Sequence, residues 1–325
     1  MKKIMRFTWT LLFFTMLVAG CKNTGNDDKK VTIGMVTFPG YAPLYLAKEK
    51  EFYQELEVDL VRIEDIAGLR AAMQSGEVDI YAATHDIFQA NQGNTPPGVG
   101  FIAIDESSGG DGVAVAEGIE TLVDLKGKRI GVEPGFPPYF ILESKLAEAG
   151  LNWNDVEQVD LSSEDAVSAF AGKSIDVVGA YEPFLSKAVE KRPNSRVLLS
   201  SKNTPGLIVD LLFASDAIIA EHPEHLTIVA EGWFKAVEYI KKHPAESYGI
   251  MGNAFGVSAG EMEEFQSGLK WLTKEDNLSY FNRKNATNAF QTFEMVGNVL
   301  SLNNPKQKML SADDKLTAII IEHFK

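Results

Sequence analysis

Two distant stretches of the chain share one pattern, and that pattern narrows the fold more than any other feature. "AAMQSGEVDIYAATHD" covers residues 71–86 and "SAFAGKSIDVVGAYEP" covers residues 168–183. With Val78 and Asp79 laid on Ile175 and Asp176, Thr84 falls on Tyr181 and His85 on Glu182. In each copy a helical segment ends near a glycine, an aspartate opens a short apolar run, and polar residues stand where the run stops. "VTIGMVT" at residues 31–37, broken by "FPGYAP" and followed by helical spacing over residues 44–53, keeps the same beat. Strands alternating with helical segments indicate βαβ units and a parallel sheet. A chance match is the competing reading. The physical one is two α/β lobes, each offering its strand C-termini to a shared crevice, where ligands of open α/β sheets bind.

The first residues speak to compartment. Lys2, Lys3 and Arg6 precede an apolar stretch at residues 7–19, which is short for a spanning helix and flanked like a secretory signal. The stretch runs into "LVAGC", whose Cys21 is the only cysteine of the 325 residues. This motif resembles the bacterial lipobox, which implies diacylation of Cys21 and a membrane anchor of two acyl chains. With no second cysteine there is no disulfide framework and no Cys-based metal site. "KNTGNDDKK", residues 22–30, is polar and aperiodic and reads as a flexible tether. Lys22 after the lipid cysteine leans towards a single-membrane host. A formal net charge of -14 argues against nucleic acid, which calls for a basic face.

"FPGYAPLYLAKEKEFY", "LVDLKGKRIGVEPG" and "GAYEPFLSKA" together resemble the substrate-binding proteins of bacterial ABC importers, in the branch that handles taurine, sulfonates, nitrate and thiamine-precursor pyrimidines. The resemblance runs over about residues 31–325. It implies the type II periplasmic-binding-protein fold: two α/β lobes joined by two hinge strands, with the ligand cleft between them. "DGVAVAEG" (residues 111–118) is expected to carry the chain into the second lobe and "LIVDLLFAS" (residues 207–215) to bring it back. The expected organisation is a signal peptide with the lipobox cysteine at 1–21, a tether at 22–30, lobe 1 at 31–117 and 211–325, and lobe 2 at 118–210. The amphipathic segments after residue 215, one opened by a Ser258/Glu261 capping box, read as packing for lobe 1, with Trp233 and Trp271 in its core.

Asp210 is the sharpest site candidate, because it interrupts an apolar strand, where an unpaired carboxylate is costly. An internal ion pair or a strand-end turn competes with a cleft-facing role; taurine-binding relatives resemble this chain in carrying an aspartate there, which implies an acceptor for a ligand amine. Glu182 precedes Pro183 and is either an indifferent helix cap or a ligand contact; Tyr181 beside it offers a ring wall or a hydroxyl. Asp111 in "SSGGDGV" is a turn former or a hinge-side contact. Asp86 opens "DIFQ" and fits a capping box with Gln89. Thr84 and His85 share that strand end, although a satisfied surface or core histidine is the plainer reading of His85. "PGFPPYF", residues 134–140 with Gly135, Phe136 and Tyr139, precedes a helix expected around residues 141–149, whose free N–H groups suit an anion or a carbonyl; an ordinary proline-rich helix entry competes. Phe38, Tyr41 and Tyr139 are candidate aromatic walls.

The candidate carboxylates are not matched by any Lys or Arg in these loops. That imbalance suits a ligand with amine, amidine or aminopyrimidine N–H donors; taurine, an alkylsulfonate or nitrate is the alternative, with a sulfonate on the helix start. No catalytic or nucleotide-binding motif assembles. "HPEH", residues 222–225, has metal-like spacing but stands in an exposed Pro/Glu segment and is not taken as a site. The fold's pyrimidine synthase resembles this family, yet its cysteine-rich iron motif has no counterpart here. The expectation is therefore a non-enzymatic, cofactor-free, monomeric lipoprotein on the outer face of the cytoplasmic membrane, periplasmic in a two-membrane cell. Its partners are a small-molecule ligand and ABC permease and ATPase subunits; a tethered sensor subunit is a further alternative.

Overall fold

A computed structural model describes residues 29–90, 98–303 and 309–325; the expected signal peptide, Cys21 and residues 22–28 of the tether lie outside them. The chain forms two sheets. One carries the strands β1 (Lys30–Met35), β2 (Glu57–Arg62), β3 (Ile80–Thr84), β4 (Val99–Ser107), β10 (Val209–Ala214) and β11 (Leu269–Trp271), in the order β11-β4-β10-β3-β1-β2. The other carries β5 (Asp111–Val115), β6 (Arg129–Val132), β7 (Glu157–Asp160), β8 (Val177–Tyr181) and β9 (Arg196–Ser200), in the order β7-β6-β8-β5-β9.

Read from the other edge, the second order matches the first strand for strand, apart from the added β11. In both sheets the third strand of the lobe runs parallel to the first and antiparallel to the strand that enters from the other lobe. The repeated aspartates do the same work. Asp79 accepts the Thr32 N–H on Oδ2 at 2.8 Å, donates its own N–H to the Thr32 carbonyl, and accepts from Ser215 N. Asp176 repeats all three with Arg129 and Ala116, its Oδ2 taking the Arg129 N–H at 3.1 Å. Each aspartate thus satisfies a strand-start N–H that would otherwise be left over. Gly34 and Gly131 correspond too: a Cβ at Gly34 would lie 2.7 Å from Leu69 and 3.1 Å from Val78, and one at Gly131 2.4 Å from Ile175.

The crossings fall earlier than the sequence suggests. β5 is already a central strand of the second sheet, and β10 is already inside the first. The chain therefore changes lobe within residues 108–110 and 201–208, ahead of the boundaries expected after 117 and after 210. The hinge strands are built into the sheets because the apolar runs that look like connectors are buried on both faces. Trp233 and Trp271 are buried in the lobe 1 core, and the Ser258/Glu261 capping box forms. The helix Ala289–Asn303 differs from expectation: Phe293 packs in the lobe 1 core, whereas Val296 and Leu300 join the lobe 2 cluster, so this helix straps the two together. Among the described residues no helix is long and apolar enough to cross a membrane.

Candidate functional site

Between the closed lobes remains a cavity of about 20 Å³, room for about one water and far below an occupied small-molecule site, so a ligand requires the lobes to part. Lobe 1 lines it with Val36, Phe38, Tyr41, Thr84, Ile87 and Asp210; lobe 2 contributes Asp111, Phe136, Pro137 and Tyr181. The sheet registers explain the meeting. Asp210 pairs with Thr84 across β10 and β3, and Asp111 pairs with Tyr181 across β5 and β8. Since Thr84 and Tyr181 are equivalent positions of the repeat, Asp210 and Asp111 are equivalent as well. Each stands five residues before the backbone N–H (Ser215 or Ala116) that its lobe's repeated aspartate accepts. The same backbone solution, used twice, brings one carboxylate from each lobe to the cleft.

Aromatic rings form the walls. Phe136 and Tyr181 stack with centroids 6.0 Å apart and planes at 13°, while Phe38 stands edge-on to Tyr181 at 6.1 Å and to Tyr41 at 5.4 Å. Phe136 and Tyr181, although in lobe 2, are buried against the lobe 1 core. The lobes are therefore closed on each other.

Behind the lining sits a residue that sequence reasoning missed. Asp105 on β4 pairs directly with Asp210 on β10 and is fully buried. Tyr41 donates its hydroxyl to Asp210 Oδ1 at 2.5 Å. Apart from the hydrogen bond Asp105 and Asp210 make with each other, no protein donor among the described residues reaches either oxygen of Asp105 or Oδ2 of Asp210. Burial first, and then the Asp210 and Asp111 charges, hold the Asp105 carboxyl well above the usual range. Asp210 is also raised by burial and by the Asp111 and Asp86 charges, against the Tyr41 hydrogen bond. Two carboxyls held this close resist being ionised together. Burial lifts Asp111 to about 7. Gly40 makes this possible: a Cβ there would fall 2.3 Å from Asp105 Oδ2. The Gly40 carbonyl is held in place by the Trp271 indole N–H at 3.1 Å.

The other candidates are placed differently. His85 is buried with Nε2 3.0 Å from the Tyr280 hydroxyl, and burial pushes its pKa down to about 3, so it is neutral and faces away from the lining. Asp86 does not cap a helix with Gln89. Thr84 takes the capping position, its hydroxyl accepting from Ile87 N at 3.3 Å, while Gln89 bonds the Phe293 and Leu310 carbonyls. Asp86 is buried behind the lining, where desolvation raises it to about 6. Glu182 also lies off the lining. Its carboxylate accepts the Ser186 hydroxyl at 2.8 Å and the Ser186 N–H at 3.2 Å. Tyr139 stacks on Trp153 at 4.5 Å, in lobe 2. Gly135, at φ +83°, turns the chain so that Phe136 enters the cleft.

The helix start offers no anion site. Pro137 and Pro138 occupy its first two positions and have no N–H, and the next two amides, of Tyr139 and Phe140, donate to the Phe136 carbonyl at 3.0 and 3.2 Å. No Lys, Arg or His lines the cavity.

Residues 38–247 match the family described as NMT1/THI5 like. The chain belongs to that family. A putative aliphatic sulfonates-binding protein of Bacillus subtilis is 28% identical over 254 residues, covering 73% of this chain and 74% of its own. A putative thiamine biosynthesis protein of Haemophilus influenzae is 23% identical over 87% of this chain and 88% of its own. The periplasmic aliphatic sulphonate binding protein SsuA of Escherichia coli superimposes with a TM-score of 0.70 at 18% identity, over 88% of this chain and 97% of that structure. The fold is that of the two-lobed periplasmic binding proteins.

Proposed function

We propose that this family member is an extracytoplasmic solute-binding protein of an ABC importer, and that it captures a small nitrogen-containing solute of amine, amidine or aminopyrimidine type. The observation that carries the reading is the pair of equivalent carboxylates, Asp111 and Asp210, set in an aromatic box with no basic side chain. Buried carboxylates want N–H donors, and stacked rings favour a flat or cationic partner. Contacts to both lobes make the closed form the better binder, so ligand shifts the population towards closure, the state a permease would read. Anchoring through a lipid on Cys21 and docking on permease and ATPase subunits belong to the same proposal.

A second reading, capture of an alkylsulfonate or taurine, is favoured by the relatives named for sulfonates. Its difficulty is the start of the helix Pro137–Glu148, whose first two residues are prolines without N–H groups. Thermal shift followed by calorimetry on the purified protein separates the two readings. One panel holds amines, amidines and aminopyrimidines; the other holds taurine, alkylsulfonates and nitrate. Stabilisation by the first panel alone is the expected result. Tight binding of a simple sulfonate or nitrate, with no response to the first panel, overturns the acidic-box reading in favour of the second.

A further inference from the structure

We propose that His222, Glu224 and His225 form a divalent metal site, matched best to zinc, on the turn between the helices Asp216–Glu221 and Pro223–Lys242. His222 both ends the first helix and precedes the second, and Pro223 starts the second helix at once, so Glu224 and His225 lie in its first turn. The fold thereby brings three metal-ligating side chains to one point, which shares no residue with the cavity lining.

The geometry is close to what a metal ion requires. One carboxylate oxygen of Glu224 lies 3.4 Å from His222 Nδ1 and 3.8 Å from His225 Nε2, and one ligand atom from each residue falls within 4.8 Å of the others. Zinc bonds of roughly 2.0–2.2 Å to N and O place tetrahedral ligands about 3.4 Å apart, so small side-chain rotations complete the set. The two imidazoles already stack at 4.7 Å and 10°. His225 is held by its surroundings with 7% of its side chain exposed, whereas His222 and Glu224 are 33% and 62% exposed. One ligand is thus fixed, two face solvent, and an ion can enter and keep a water in its fourth position. Two imidazoles and a carboxylate are the donor set that suits zinc over calcium or magnesium. A cation at a helix start is opposed by the helix dipole; the Glu224 carboxylate in the same turn offsets this.

The test is zinc titration of the purified protein by calorimetry, with cobalt(II) substitution read by visible absorption. One ion per chain and the visible bands of four-coordinate cobalt are expected. His222→Ala and Glu224→Gln, both at exposed positions, should each weaken binding by about tenfold or more, while His323→Ala at the exposed C-terminal end should not. His225 is buried, so its substitution is left out of the test. No zinc binding by the unmodified protein, or binding that neither His222→Ala nor Glu224→Gln weakens, overturns the proposal.

Discussion

The two strand ends that the repeat makes equivalent have become chemically unlike. At the end of β3 the chain enters a helix beneath the C-terminal helical layer, and His85 is buried, neutral and bonded to Tyr280. At the end of β8, Glu182 is half-buried and accepts from the Ser186 hydroxyl and N–H. The residues on the neighbouring antiparallel strands, Asp210 and Asp111, have stayed alike, and both reach the cavity. Position on the backbone decides which residue can face the cleft.

The largest break in this comparison should come from the carboxylates. If Asp210 and Asp111 are the equivalent anchors, Asp210→Asn and Asp111→Asn should each weaken the best ligand of the nitrogen panel by roughly 2–5 kcal/mol, the range for cutting one partner of a buried charged pair. That is about thirtyfold or more in Kd. Glu182→Gln should change affinity by less than about threefold, since its carboxylate is spent on Ser186. Isothermal titration of the three variants checks the order, and a large Glu182 effect with a small Asp111 effect would reverse the assignment.

Next in size is the pH dependence. Burial raises Asp86 to about 6 and Asp111 to about 7, with Asp105 and Asp210 also raised. A carboxyl with a raised folded pKa binds protons more tightly folded than unfolded, so its stabilising contribution is complete below about pH 4 and is lost as pH rises through the folded value. The ligand-free protein should therefore lose on the order of 4 kcal/mol through Asp86 and Asp111 alone between pH 5 and pH 8. Asp111→Asn should flatten the upper part of that slope in thermal melts across this window. Affinity for a cationic ligand should run the other way, rising with pH through about 7 as Asp111 loses its proton. A ligand-free melting temperature that climbs steadily from pH 5 to pH 8, unchanged in Asp111→Asn, would falsify the raised acids.

A smaller effect tests whether the lobes are equivalent in their packing. Gly34→Ala and Gly131→Ala place a methyl against Val78 and its counterpart Ile175. Each should destabilise by about 1–3 kcal/mol, as overpacking does. Urea unfolding is the readout. A neutral result at either position would mean that its neighbour yields and that the likeness of the two glycines ends at the backbone.

The repeat was legible because aspartate, glycine and β-branched residues recur at fixed offsets for backbone reasons that the structure bears out at Asp79 and Asp176. Asp210 was legible because a carboxylate inside an apolar strand has to be explained. Asp105 sends the same message in "FIAIDESS", but the following Ser-Ser-Gly-Gly makes it look like the first residue of a turn. Only the β4–β10 register shows it to be the partner of Asp210. Glu182 misled in the opposite sense. Its partner is local, four residues on, and a glutamate reaching forward to a helix amide is easily passed over when serine and aspartate are the expected caps. What the sequence does show at the helix Pro137–Glu148 is that the two prolines opening it carry no N–H groups.

The smallest effect bears on the aspartates that open the repeated strands. Asp79 and Asp176 each make three equivalent contacts, but Asp176 alone has a cation nearby, Arg129 Nε at 3.7 Å. That pair is partly exposed on both sides, so it should add little. Asp79→Ala and Asp176→Ala should therefore each cost about 1–2 kcal/mol for the lost charge-assisted bond to a strand N–H, and should agree within roughly 0.5 kcal/mol. Added salt should not separate them, because a short bond to a backbone amide is screened far less than a surface ion pair. If Asp176→Ala proves costlier at low salt and converges with Asp79→Ala at high salt, the arginine contributes after all. The second lobe would then have supplemented a shared backbone solution with a charge of its own.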